Sequence, residues 1–259
     1  MKRTWLLWVI AVVITLLAVL YQRTTGPTYP KKVKTKFNGT EREFKFIRTH
    51  ERDEPCKIKL IVPEKSTTAK IFYIRYPVDE PYVEKGFKRT GDTLVARLPV
   101  QPIAGKIQYY VQLNDHDQSQ YLMKEEPAII RFKDPVPATA LVPHVILMFL
   151  AMLISNLSGL MTAVGHQKFK TYAFITFFLL LAGGMVMGPV VQKFAFGEFW
   201  TGVPNGWDLT DNKTLIAFVF WLIAILLNLK KDRPVWVLVA AIVLLLVYSI
   251  PHTMFGSEL

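Results

Sequence analysis

Apolar and polar positions divide this chain into two kinds of text. Trp5 to Tyr21 is one unbroken apolar run, and four more follow much later, at Ala140 to Ala163, Tyr172 to Pro189, Thr214 to Leu229 and Pro234 to Ile250. Hydrocarbon offers the backbone no hydrogen-bond partner, so each run predicts a helix that satisfies itself. Over Trp5 to Tyr21 a rise of ~1.5 Å per residue covers roughly 25 Å, enough for a short span. Five transmembrane helices are therefore expected, one N-terminal anchor and a four-helix C-terminal bundle. The first run ends in Tyr21, Gln22 and Arg23 rather than in small residues. It reads as a retained anchor, not a cleaved signal peptide.

Between the first and second runs the period changes to two. Cys56 to Val62, Ala69 to Tyr76 and Lys106 to Leu113 alternate, and Ile107, Tyr109, Val111 and Leu113 share one face. That pattern suits half-buried strands. Leu94 to Leu98, Gln120 to Met123 and Ala128 to Phe132 extend the set, with turn residues at Pro63, Pro77 to Pro81, Arg89 to Asp92, Pro99 to Gly105 and Asn114 to Asp117. Short strands at this spacing predict an extracytoplasmic all-β sandwich of immunoglobulin-like type. The expected organisation is an anchor over 1–23, a tether over 24–36, the sandwich over 37–137 and a four-helix domain over 138–259. An outer aromatic loop is expected at 190–213.

Charge sets the orientation. Lys2 and Arg3, Lys168 and Lys170, and Lys230, Lys231 and Arg233 all fall on one side of a five-span chain. Short basic connections favour the cytoplasm, so the N-terminus is expected inside, with the β domain and the C-terminus outside, in the inner membrane of a bacterium. The formal net charge of +11 is then a matter of topology and domain surface, not a nucleic-acid footprint. The single Cys56 excludes an intramolecular disulfide. No Asp, Glu, Lys or Arg lies in the middle of any apolar run, which argues against ion-coupled transport. A serine–histidine–carboxylate set, a phosphate-cradling glycine loop and a zincin signature are all missing, so no catalytic residue is assigned.

Candidate chemistry gathers at the outer rim. Ala195-Phe-Gly-Glu-Phe-Trp-Thr-Gly-Val-Pro-Asn-Gly-Trp-Asp208 places aromatic rings, turning residues and a carboxylate between two apolar runs. An interfacial aromatic anchor explains the rings but leaves the Trp207-Asp208 pair unexplained. Asp211 reads as a cap for the following helix. His144, early in the second run, and His252, just after the fifth, share the outer level. Two imidazoles there suit the axial positions of a haem iron, or a zinc or copper ion with Asp208 or Asp211 nearby. Lys193 and Lys213 stand ready for anionic groups such as propionates.

Two resemblances follow from these residues. Ala69 to Tyr76, with Ala104 to Asp115, is similar to the immunoglobulin-like or fibronectin type III-like modules of bacterial envelope proteins. Phe196-Gly197-Glu198-Phe199-Trp200 and Trp207-Asp208 resemble the two halves of the tryptophan-rich loop WGxxWxWDxxxxW of haem-handling membrane proteins in bacterial cytochrome c maturation. His144 and His252 match that family's flanking histidines in order and side. Phenylalanine replaces the leading tryptophan, Thr201 to Gly206 is an insert, and only four spans form the bundle. The resemblance implies a haem-binding or haem-presenting rim that acts in cytochrome or envelope-complex assembly, with haem as cofactor. Its implied site is His144, His252, Trp200, Trp207, Asp208, Phe196, Gly197, Lys193 and Lys213. A different reading makes the chain a non-catalytic accessory subunit that docks partners through its β domain. The lipid bilayer is a partner in either case.

Overall fold

The computed structural model describes residues 4–26, 28–116 and 118–251. The chain divides into two units, a helical one made of Met1–Pro27 with Val136–Leu259, and a β one over Thr28–Pro135.

The helical unit is a multi-pass membrane bundle. Four helical stretches are long and apolar enough to cross a bilayer: Thr4–Thr25 (α1), Ala138–Ala163 (α2), Phe169–Phe196 and Leu209–Asn228 (α5). The third comprises α3 (Phe169–Leu180), a π-helical stretch over Leu181–Met187 and α4 (Gly188–Phe196). The fifth apolar helix, Pro234–Ser249 (α6), has 16 residues. At ~1.5 Å per residue it measures about 24 Å, short of a typical hydrocarbon core. The expectation of five transmembrane helices is corrected to four helices long enough to cross and a shorter apolar one.

Spacing decides which face of each helix is buried. In α1 the buried positions are Ala11, Thr15 and Ala18, one stripe, while Trp5, Val9, Val13, Leu17 and Leu20 are exposed. The Thr15 hydroxyl donates to the Ala11 carbonyl at 2.7 Å and accepts from Asn156 Nδ2 of α2 at 3.0 Å. Gln22 Nε2 donates to the Tyr248 carbonyl of α6 at 2.8 Å, and Trp8 meets Tyr172 of α3 edge to face. α1 is thus a packed member of the bundle. Small residues set the tightest approaches. A Cβ on Gly159 would stand 2.8 Å from that of Ala241 in α6, and one on Gly183 would stand 2.8 Å from that of Leu147 in α2. Asn228 closes the α5–α6 hairpin. It donates to the Ala224 and Arg233 carbonyls and accepts from the Arg233 amide.

The β unit holds strands β1 (Lys31–Phe37), β2 (Thr40–Phe46), β3 (Thr49–Glu51), β4 (Cys56–Ile61), β5 (Thr68–Tyr76), β6 (Val83–Gly86), β7 (Lys88–Thr90), β8 (Thr93–Leu98), β9 (Lys106–Asp115), β10 (Gln118–Leu122) and β11 (Ala128–Lys133). They form three open sheets: the β1–β2 ladder, a six-stranded sheet in the order β3-β11-β9-β5-β6 with β10 also on β9, and a three-stranded sheet β4-β8-β7. The immunoglobulin-like sandwich is therefore corrected. That fold needs two antiparallel sheets joined by Greek-key connections, whereas here β3 and β11 run parallel and the lysine-rich β1 pairs only with β2. Alternation reveals which face of a strand is buried but not which strand lies beside it. The inward phase read from the sequence holds: Ile107, Tyr109, Val111 and Leu113 are all fully buried, with Phe46, Ile71, Leu98 and Phe132 in the same core. Each such side chain contributes roughly 1.5–3 kcal/mol. The Tyr109 hydroxyl is satisfied by the Ile47 carbonyl at 3.0 Å.

Candidate functional site

α4 ends where Gly197 adopts the left-handed conformation, φ 85°, and its amide donates to the Lys193 carbonyl. A residue with a Cβ is strained there, so glycine makes the exit turn. α5 begins at an Asp208 N-cap, whose Oδ1 accepts from the Thr210 and Asp211 amides at 2.8 and 3.1 Å. The cap is thus Asp208, three residues before the one expected. This accounts for the carboxylate of the Trp207-Asp208 pair.

Asp211 has a different task. It is 5% exposed, and its Oδ2 accepts from the Thr201 amide at 2.6 Å, the Thr201 hydroxyl at 3.2 Å and the Gly202 amide at 3.0 Å. Asn212 Oδ1 takes the Val203 amide at 2.7 Å, and Gln192 Nε2 of α4 donates to the Thr201 hydroxyl at 2.7 Å. The amides of Asn205 and Gly206 bond to the Gly202 carbonyl, and that of Asp208 bonds to the Thr201 carbonyl. The loop from 197 to 208 is a compact body wound around one buried carboxylate. Its glycines are needed where the chain doubles back: a Cβ on Gly206 would lie 2.6 Å from the Thr201 carbonyl oxygen.

The remaining candidates divide by what they touch. Trp200 Nε1 donates to the Val203 carbonyl at 3.0 Å. Lys193 Nζ donates to the Gly197 carbonyl and stands 5.3 Å from the Phe199 ring centroid. Lys213 is 4% exposed and donates to the Ile250 carbonyl at 2.6 Å, at the C-terminal end of α6, where a cation is favoured. Phe196 closes α4. Trp207 is 88% exposed. His144 lies on α2, and its Nδ1 donates at 2.9 Å to the Gly183 carbonyl, which belongs to the π-helical stretch and also accepts the Gly188 amide. His252 lies outside the described residues.

A zinc or copper centre is corrected. Among the described residues no group of three or more His, Cys, Asp or Glu is placed to hold a metal ion. The reason is local, since the carboxylates of Asp208 and Asp211 are spent on backbone amides of the loop and of α5. Two other described imidazoles, His50 and His166, are also engaged. His50 meets the Glu54 carbonyl, and His166 accepts from the Lys168 amide and lies 3.5 Å from the Thr4 hydroxyl.

A second cluster escaped the sequence reading. On the outward face of the six-stranded sheet, Phe72 stacks on Tyr110 at 4.9 Å across the β5–β9 ladder. Tyr82 meets Tyr110 at 5.1 Å, Tyr121 lies 6.2 Å from it, and Lys124 stands 4.3 Å from the Tyr121 ring centroid. Lys70 pairs with Glu84 at 2.7 Å, and Gln108 donates to the Tyr82 hydroxyl at 2.6 Å. Burial holds the Tyr110 phenol above its usual pKa, and Tyr121, Tyr82 and Glu84 add to the effect. The available signal was Tyr110 itself, an aromatic residue on the outward phase of β9.

No protein-family model, curated protein or solved structure matches this chain.

Proposed function

We propose that this chain is a non-catalytic accessory subunit of an envelope membrane complex, docking a partner protein through the outward aromatic face of its β unit. The observation that carries this reading is the Phe72–Tyr82–Tyr110–Tyr121 cluster, half-exposed and rimmed by Lys70, Glu84 and Lys124. Aromatic rings with polar tips inside a charged rim have the composition of protein interfaces. Asn156, Asp208, Asp211 and Lys213 of the helical unit support it from the other side, because their polar atoms are engaged in holding the bundle and its loop together. The basic connections favour a cytoplasmic N-terminus in a bacterial inner membrane, with the β unit outside.

Haem handling is a second reading, favoured by one observation. Porphyrin supplies four of the iron ligands, so a single well-oriented imidazole suffices to begin a site. The Nδ1 donation of His144 to Gly183 leaves Nε2 with the lone pair, the orientation a ligating histidine requires. Lys193 and Lys213 fit less well, since both already serve carbonyl oxygens.

One preparation tests both readings. The full chain, purified from its native membrane in mild detergent, is expected to retain a stoichiometric partner. That partner should survive His144→Ala with His252→Ala and be lost with Tyr110→Ala plus Tyr121→Ala. Truncating an interface anchor costs on the order of 2 kcal/mol, a roughly 30-fold loss of affinity. Retention by the tyrosine variant defeats the docking reading. A Soret band that disappears in the histidine variant establishes haem in its place.

A further inference from the structure

The loop from 197 to 208 meets its backbone polarity from within while showing aromatic side chains outward. A loop in water turns its polar groups outward and tucks its apolar ones beneath. Here the amides of Thr201, Gly202, Val203, Asn205, Gly206 and Asp208 all bond within the protein. Beside the exposed Glu198 and Asn205 it displays large apolar side chains: Trp207 at 88% exposure, Phe199 at 56% and Val203 at 43%. Irregular backbone survives beside lipid only where its hydrogen bonds are met from within. An indole that touches almost nothing of its own protein is costly in water, and is favoured at the headgroup level of a bilayer. The loop's place in the chain agrees, since it joins the ends of two membrane-spanning helices and is tied to both, through Gln192 of α4 and Asp211 of α5.

We infer that this loop is seated in the interfacial layer of the bilayer, with Trp207 and Phe199 among the lipid headgroups and upper acyl chains. The occupant of the exposed aromatic surface is lipid, not protein. Asp211 supplies the internal partners that let a non-helical segment sit there, and Trp207 sets its depth. The inference is independent of the docking reading, which concerns the β unit.

Single-cysteine labelling tests it in the full chain. The native Cys56 is fully buried, and burial pushes its thiol up to about 12, so it stays silent at neutral pH. Trp207→Cys and Phe199→Cys are spin-labelled in nanodiscs of phosphatidylcholine and phosphatidylglycerol, with Glu41→Cys on the β1–β2 hairpin as the water reference. Collisions with oxygen should exceed those with a nickel chelate by several-fold more at 207 and 199 than at 41. Brominated phosphatidylcholine should also quench the wild-type fluorescence more than that of Trp207→Phe. Chelate-dominated collisions at 207 would place the loop in water and overturn the inference. Protection from both reagents would show a protein or other ligand covering it, and overturns it equally.

Discussion

At the scale of single residues, Asp211 organises most of the loop. An ionised carboxylate with no exposed surface to speak of is tolerable only when donors surround it, and Oδ2 collects three. Asp211→Ala strands the Thr201 and Gly202 amides, at roughly 1–3 kcal/mol for each buried donor left unpaired. Asp211→Asn keeps an acceptor oxygen and should cost less. Asp208→Ala removes only a helix cap, about 1 kcal/mol. Thermal unfolding in detergent should therefore order the variants Asp211→Ala, then Asp211→Asn and Asp208→Ala. If Asp208→Ala proves the most damaging, the loop is not organised around Asp211. The two carboxylates show how far sequence carries at this scale. Both lie at a helix start, where a capping acid is expected. Which of them caps depended on the loop folding back to offer its amides to Asp211.

Helix packing rests on where small side chains fall. Gly159 lets α2 and α6 approach until a Cβ would meet that of Ala241 at 2.8 Å. Gly159→Val must push α6 away, an overpacking cost of roughly 1–3 kcal/mol. Gly86→Ala in strand β6, where a Cβ meets nothing within 4 Å, serves as the control. A clear fall in the unfolding midpoint for Gly159→Val, with Gly86→Ala unchanged, is the expected pair of results; equal midpoints would refute the close approach. Gly183 and Gly184 likewise sit close against Leu147 and Thr214. The π-helical stretch around them was not legible in the sequence. It depends on a carbonyl shared between the Gly188 amide and His144, a contact between different helices.

The whole molecule is two units with different interiors, and alkali should distinguish them. Burial raises the Cys56 thiol from about 9 to about 12, and raises the Tyr109 phenol well above its usual value. Both lie in the β core. The unfolded chain releases these protons at lower pH than the folded one, so it binds fewer protons across that window. Stability of the β unit is thus complete below about pH 9 and declines as pH rises toward 12. Amide hydrogen exchange of the full chain, followed by mass spectrometry of peptides from Thr28–Pro135, reports on the β unit alone. Its urea midpoint should fall between pH 8 and 10.5, and less so in Cys56→Ala; a flat midpoint would contradict the burial of both groups. The one-dimensional pattern by itself determined the helical spans, the β unit between the first and second, and the inward phase of β9. Each follows from a local period meeting lipid or water, and needs no knowledge of neighbours. Only the tertiary structure decided that the strands form three open sheets, that Asp208 caps while Asp211 is enclosed, and that Phe72 meets Tyr82, Tyr110 and Tyr121. Those outcomes turn on which distant segments pair, and a residue's own period carries no record of its partner.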